Sequence, residues 1–130
     1  MDEDLEIEQF ISDIRKAFPD VGRAIDVWME KQGFDEEDKA YASMFEAFSQ
    51  ETTNEMKRLN EGIVRSHLEY MSKKLSRASK KEYEYIDVYY VESLMWDIND
   101  KGIKKWAWAL MPANLKELYV DMWGPPTFNK

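Results

Sequence analysis

Proline is missing from every position between Asp20 and Met111 of this 130-residue chain, and between Phe34 and Lys101 the only glycine is Gly62. Proline breaks a helix by removing an amide donor and clashing with the preceding turn; glycine weakens one through backbone entropy. So long a stretch without these residues constrains the chain to helices more strongly than any other feature.

The apolar spacing agrees. Ile7, Ile11, Ile14 and Phe18 step by four, three and four, which gives one helical face, widened by Phe10 and Ala17. Pro19 interrupts. A second helix opens at Asp20, carries Val21, Ala24, Ile25, Trp28 and Met29, and stops at Gly33. Asp35 is placed to cap a third helix, with Glu36, Glu37 and Asp38 complementing its positive end and Tyr41, Met44, Phe45 and Phe48 on its apolar face. The polar stretch Ser49 to Asn54 predicts a turn. Thr52 or Thr53 then caps a fourth helix with the stripe Met56, Leu59, Ile63, Leu68, Met71 and Leu75.

Ser79 followed by Glu82 is a capping-box signature. The helix after it is expected to reach about Asn99 and to bury Tyr83, Ile86, Tyr90, Leu94 and Ile98. Strand formers crowd Tyr83 to Val91, but the three- and four-residue spacing continues through Ile98 and favours helix. Asp100-Lys101-Gly102 closes that segment. Ile103, Trp106, Ala107 and Leu110 mark a short helix. Pro112 starts the last one, with Leu115, Leu118, Tyr119, Met122 and Trp123 inside and Gly124 at its end. The expected fold is all-α: six or seven antiparallel helices packed as helical hairpins or a compact bundle. One domain over residues 1–124 and a tail over residues 125–130 are expected.

Residue scarcity removes most chemistry. Without cysteine there is no disulfide framework, thiolate zinc site or thiol nucleophile. The single histidine, His67, lacks a nucleophile-elbow pattern, and a helical di-iron centre needs two Glu-x-x-His units. No Walker loop and no Gly-x-Gly-x-x-Gly occurs. The reading is a non-enzymatic protein with no catalytic, cofactor-binding or metal-ligating residues. The start Met1-Asp2-Glu3-Asp4 is acidic, unlike a secretory or mitochondrial leader, and no apolar run is long enough to span a membrane. A cytoplasmic location is expected.

The net charge of −8 is unevenly spread. Residues 1–56 hold sixteen acids against five bases, residues 57–81 two against eight, and residues 82–130 eight against five. Three binding candidates follow. Asp35, Glu36, Glu37 and Asp38 offer an acidic surface for a basic protein. Lys73, Lys74, Arg77, Lys80 and Lys81 would mostly share one face of a continuous helix and suit an anion or acidic partner, although the overall acidity disfavours nucleic acid. Trp106 and Trp108 lie two apart and cannot both face inward, so at least one ring is expected to be partly exposed as an interface anchor.

The order Phe18-Pro19-Asp20, the Ile86 to Leu94 helix with Glu92, and Leu110-Met111-Pro112-x-x-Leu115 leading to Trp123-Gly124 resembles a family of bacterial all-helical, HEAT-like domains. Some small acidic proteins of that kind are encoded beside polymorphic toxins. The resemblance spans roughly residues 5–124 and implies a toxin-neutralising immunity role; it brings no catalytic residues. The expected function is a protein-binding module with a protein partner, such as a toxin domain. A self-associating structural or regulatory module and an anion or nucleic-acid binder using residues 73–81 are the alternatives.

Overall fold

The computed structural model describes residues 3–35 and 38–129. Among the described residues there are seven α-helices and no strand. They are α1 (Glu3–Ala17), α2 (Pro19–Lys31), α3 (Tyr41–Lys57), α4 (Glu61–Ser76), α5 (Lys80–Tyr85), α6 (Lys101–Leu110) and α7 (Ala113–Trp123). A π-helical segment, Ile86–Val91, continues α5, and a short 3-10 turn covers Thr127–Asn129. The chain is all-α, as the missing prolines and the apolar spacing predict.

The central helix is α3, which packs against α1, α2, α4, α6 and the π-helical segment. Phe45, Phe48 and Met56 on its inner face are completely buried. Its second half is the Ser49 to Asn54 stretch expected to be a turn. Ser49, Thr52 and Thr53 are instead fully buried within the helix. Positions 45, 48, 49, 52, 53 and 56 form one unbroken helical stripe, in which three hydroxyl residues stand where apolar ones are usual. Burial is tolerated because each hydroxyl has a partner. Ser49 Oγ donates to the Tyr90 carbonyl at 2.6 Å, Thr52 Oγ1 donates to the Phe48 carbonyl at 3.1 Å, and Thr53 Oγ1 accepts from the Met95 amide at 3.1 Å.

Those bonds shape the next segment. The capping box forms as predicted: the Glu82 amide donates to Ser79 Oγ at 3.2 Å and the Ser79 amide donates to Glu82 Oε1 at 3.0 Å. However, the α-helix ends at Tyr85 and does not run to Asn99. The Glu92 amide reaches Asp87, five residues back, and the Leu94 amide bonds Val91 rather than Tyr90. Ser49 and Thr53 of α3 hold the Tyr90 carbonyl and the Met95 amide, which draws the backbone out of α register. Turns follow to Asp97, and Met95 has φ +64°. Ile86, Tyr90, Leu94 and Ile98 are buried as expected, whereas Tyr83 is exposed.

The helix ends also depart from expectation. Asp35 does not cap α3, which starts at Tyr41 behind Ala40 without a side-chain cap. The Asp35 amide donates to Asp38 Oδ2 at 2.7 Å and the Asp38 amide to Asp35 Oδ1 at 3.2 Å. Such reciprocal bonds make a local turn that competes with helix initiation. Glu36 and Glu37 lie outside the described residues. The true α3–α4 turn is Arg58 to Asn60, so Leu59 and Ile63 face solvent and Val64, His67, Leu68 and Met71 carry the buried face of α4.

Candidate functional site

His67 lies in the core. Its Nδ1 is 3.0 Å from Thr52 Oγ1, which is also 2.9 Å from the Tyr90 hydroxyl. Thr52 has one proton and directs it at the Phe48 carbonyl. The Thr52 hydroxyl thereby links His67 of α4 and Tyr90 of the π-helical segment to the backbone of α3. Phe18 and Phe48 meet the ring edge-on at 4.8 and 5.1 Å. Burial lowers the His67 pKa to about 4, against a smaller opposing pull from Glu55. Burial also pushes the Tyr90 phenol far above its ordinary value. These groups fix the packing of α3, α4 and the π-helical segment.

The surface feature that stands out is an open groove of about 470 Å³ on the opposite side of the π-helical segment. Val88, Glu92 and Trp96 recur every four residues along one wall, with Tyr89 and Ser93 beside them. Glu46 and Gln50 of α3, Trp28 of α2 and Trp123 at the end of α7 complete it. Trp96 and Trp123 are 67% and 58% exposed, the highest values among the large apolar side chains described. Their edges are nevertheless tied down. Trp96 Nε1 donates to Gln50 Oε1 at 2.6 Å, Trp123 Nε1 to the Glu92 carbonyl at 3.2 Å, and Trp28 Nε1 to Ser43 Oγ at 3.4 Å. Pinned rings present their faces without further ordering cost, which is what an interface anchor requires.

The groove is electronegative. Burial, and then the negative charge of Glu92, raises the Glu46 carboxyl above its ordinary value. Burial, followed by Asp121 and Glu92, does the same for Asp87. Among the described residues no lysine or arginine lies within ion-pair distance of Glu46, Asp87, Glu92 or Asp121. The nearby Lys57 is held by Asp97 at 2.5 Å.

The candidates read from the sequence sit elsewhere. Asp35 and Asp38 are exposed in the turn before α3, beside Phe34 and Met44. The basic face is divided, because α4 ends at Ser76 and Arg77 caps it while Ser79 starts a new helix. Lys73, Arg77 and Lys80 are exposed. Lys74 instead turns inward to Glu82 at 2.6 Å and lies over the Phe10 ring, and Lys81 lies over the Tyr85 ring. Burial opposes charge on Glu82, but its bonds to Lys74 and Ser79 outweigh this and hold its carboxyl below the ordinary value. Trp106 and Trp108 diverge as spacing requires: Trp108 is buried against Tyr119 and Phe128, and Trp106 is half-buried.

The exposed indoles, Trp96 and Trp123, were not singled out by spacing. Trp123 was expected inside α7. Trp96 lies two residues beyond the buried Leu94, so the divergence argument used for Trp106 and Trp108 places it outward as well. Among the described residues no three acidic or histidine side chains converge as a metal site would require, and no helix is long and apolar enough to cross a membrane.

The sequence model of one family, described as Domain of unknown function (DUF7674), matches residues 11–124. The chain belongs to this DUF7674 family. The matched region begins within α1 and ends just past Trp123, so it includes every residue that lines the groove. No significant match is found among curated proteins or solved structures.

Proposed function

We propose that this DUF7674 protein is a non-enzymatic protein-binding module that docks a basic partner in the groove between Trp28, Trp96 and Trp123. One observation carries the reading: two exposed, edge-pinned indoles flank carboxylates that no base among the described residues pairs with. Aromatic anchors beside complementary charge are the usual centre of a protein interface. The only histidine of the chain is committed to the core, which fits a binding role rather than a catalytic one. A cytoplasmic toxin-neutralising immunity role is the specific form we propose, on the sequence resemblance alone.

The alternatives draw less support. Self-association through this groove would set Glu46 and Glu92 of one copy against the same acids of another, since a two-fold contact is self-complementary. An anion site on residues 73–81 would have to use side chains that a helix break has separated.

The test is co-expression with the product of the adjacent gene, followed by size exclusion. Co-elution is expected with the native chain and is expected to be lost with the Trp96→Ala, Trp123→Ala double variant. Absence of a complex with the native chain overturns the toxin-neutralising form. A complex indifferent to the double variant overturns the groove as the docking surface.

A further inference from the structure

The chain places its own cations on aromatic rings in four places. Lys74 lies over Phe10 at 5.0 Å, Lys81 over Tyr85 at 5.6 Å, Lys104 over Phe128 at 5.8 Å and Lys116 over Trp108 at 5.3 Å. Among the described residues none lies over Trp28, Trp96 or Trp123. Among the described residues the groove therefore combines indole faces without a cation and carboxylates without a base. The three indole N–H groups are already used inside the chain, and the Tyr89 and Ser93 hydroxyls in the walls accept as readily as they donate. Glu46 and Glu92 would repel an anion outright. A cation is favoured twice, by the ring quadrupoles and by the two carboxylates.

We propose that the groove receives the guanidinium of an arginine side chain carried by a basic protein segment. This rests on the groove being the docking surface argued above. A guanidinium fits better than an ammonium for three reasons. It is planar and stacks on indole faces, it gives up its hydration more readily, and its fork of donors can meet Glu46 and Glu92 together. The source is a protein rather than a free small cation. The groove is open, and at about 470 Å³ it exceeds what one guanidinium fills. The acidic surface also continues beyond it through Asp87 and Asp121, to the reach of a basic segment. Burial first, and neighbouring carboxylates second, raise the Glu46 and Asp87 carboxyls, and a cation seated beside them would oppose both effects.

The experiment follows the indole N–H signals of the full ¹⁵N-labelled chain during titration with Nα-acetyl-arginine amide. The lysine counterpart, the neutral citrulline counterpart and tetramethylammonium are titrated in parallel. The arginine compound is expected to move the Trp96 and Trp123 signals and to leave Trp108 in place. Its affinity is expected to fall at least about fivefold in the Glu46→Gln, Glu92→Gln double variant. An unchanged Trp108 signal in that variant shows that the fold is intact. Equal shifts with citrulline, or undiminished affinity in the double variant, would overturn the proposal. Equal or tighter binding of the lysine compound or tetramethylammonium would overturn the guanidinium in favour of another cation. If the arginine compound moves neither signal while Trp96→Ala, Trp123→Ala still abolishes the partner complex, this inference falls and the docking surface stands. If the arginine compound binds as expected but the partner complex ignores those variants, the docking surface falls, and the protein-borne arginine with it.

Discussion

The imidazole of His67 meets the Thr52 hydroxyl at 3.0 Å and is enclosed by Phe18 and Phe48. A second proton would add a buried charge, which is why its pKa falls to about 4 from the 6.5 of a solvated histidine. Between those two values the unfolded chain binds a proton that the folded chain refuses. Stability from this residue is therefore intact above pH 6.5 and is lost as pH falls toward 4. The expected loss at pH 5 relative to pH 7 is about 2 kcal/mol. Urea unfolding at the two pH values measures it, and His67→Gln, which keeps a polar partner for Thr52, is expected to flatten the difference. Glu46 has the opposite sign. Its raised carboxyl pKa means that its charge costs stability at neutral pH, because burial strips its hydration and, to a smaller extent, Glu92 repels it. Glu46→Gln is expected to raise stability modestly at pH 7, by no more than about 1 kcal/mol, while weakening partner binding. A gain in stability joined to a loss of binding is the signature of a residue kept for its charge.

At the scale of helices, the ends of α2 and α3 use the same device with different residues. At α2 the Phe34 amide bonds the Met29 carbonyl and the Gly33 amide bonds Glu30, with Gly33 at φ +85°. At α3 the Asn60 amide bonds Glu55 and the Leu59 amide bonds Met56, with Leu59 at φ +57°. Both are Schellman ends, whose left-handed residue is normally glycine. Leucine there strains against its own Cβ, and 56% of it is exposed, so little packing compensates. Leu59→Gly is expected to stabilise the protein by about 0.5–1 kcal/mol, the relief of strain exceeding the entropy of a freer unfolded chain. Thermal unfolding decides the sign. The same pair of ends explains what the sequence made legible. Gly33 announces its turn, and the end of α2 is read correctly; Leu59 hides its turn, and the boundary is displaced to the polar run Ser49 to Asn54. That run looked solvated because single-residue polarity does not reveal partners lying 15 to 42 residues away, such as His67, Tyr90 and Met95. The groove was less legible for the same reason. Its walls come from α2, α3, α7 and a segment bent out of α register by Ser49 and Thr53, so no local window contains it.

At the scale of the whole molecule, the basic stretch does little to balance the acidic remainder where it matters. Lys74 is turned inward to Glu82, while the groove draws on α3 from the acidic half and on Asp87, Glu92 and Asp121 from the acidic C-terminal third. With a net charge of −8, the long-range field around the groove is negative. A basic partner is then steered toward it before contact, and the steering acts on encounter rather than on the bound state. Added salt screens charges separated by more than about 10 Å at 0.1 M, which covers the approach, but it screens the desolvated contacts inside the groove much less. The association rate with a basic partner is therefore expected to fall about tenfold or more between low salt and about 0.3 M salt, with the dissociation rate changing far less. Trp96→Ala is expected to do the reverse, speeding dissociation and leaving association nearly unchanged, because an indole face acts only at contact. Stopped-flow traces of native and variant chains across a salt series separate the two effects. Salt acting mainly on dissociation, or Trp96→Ala acting mainly on association, would mean that the partner does not meet this face.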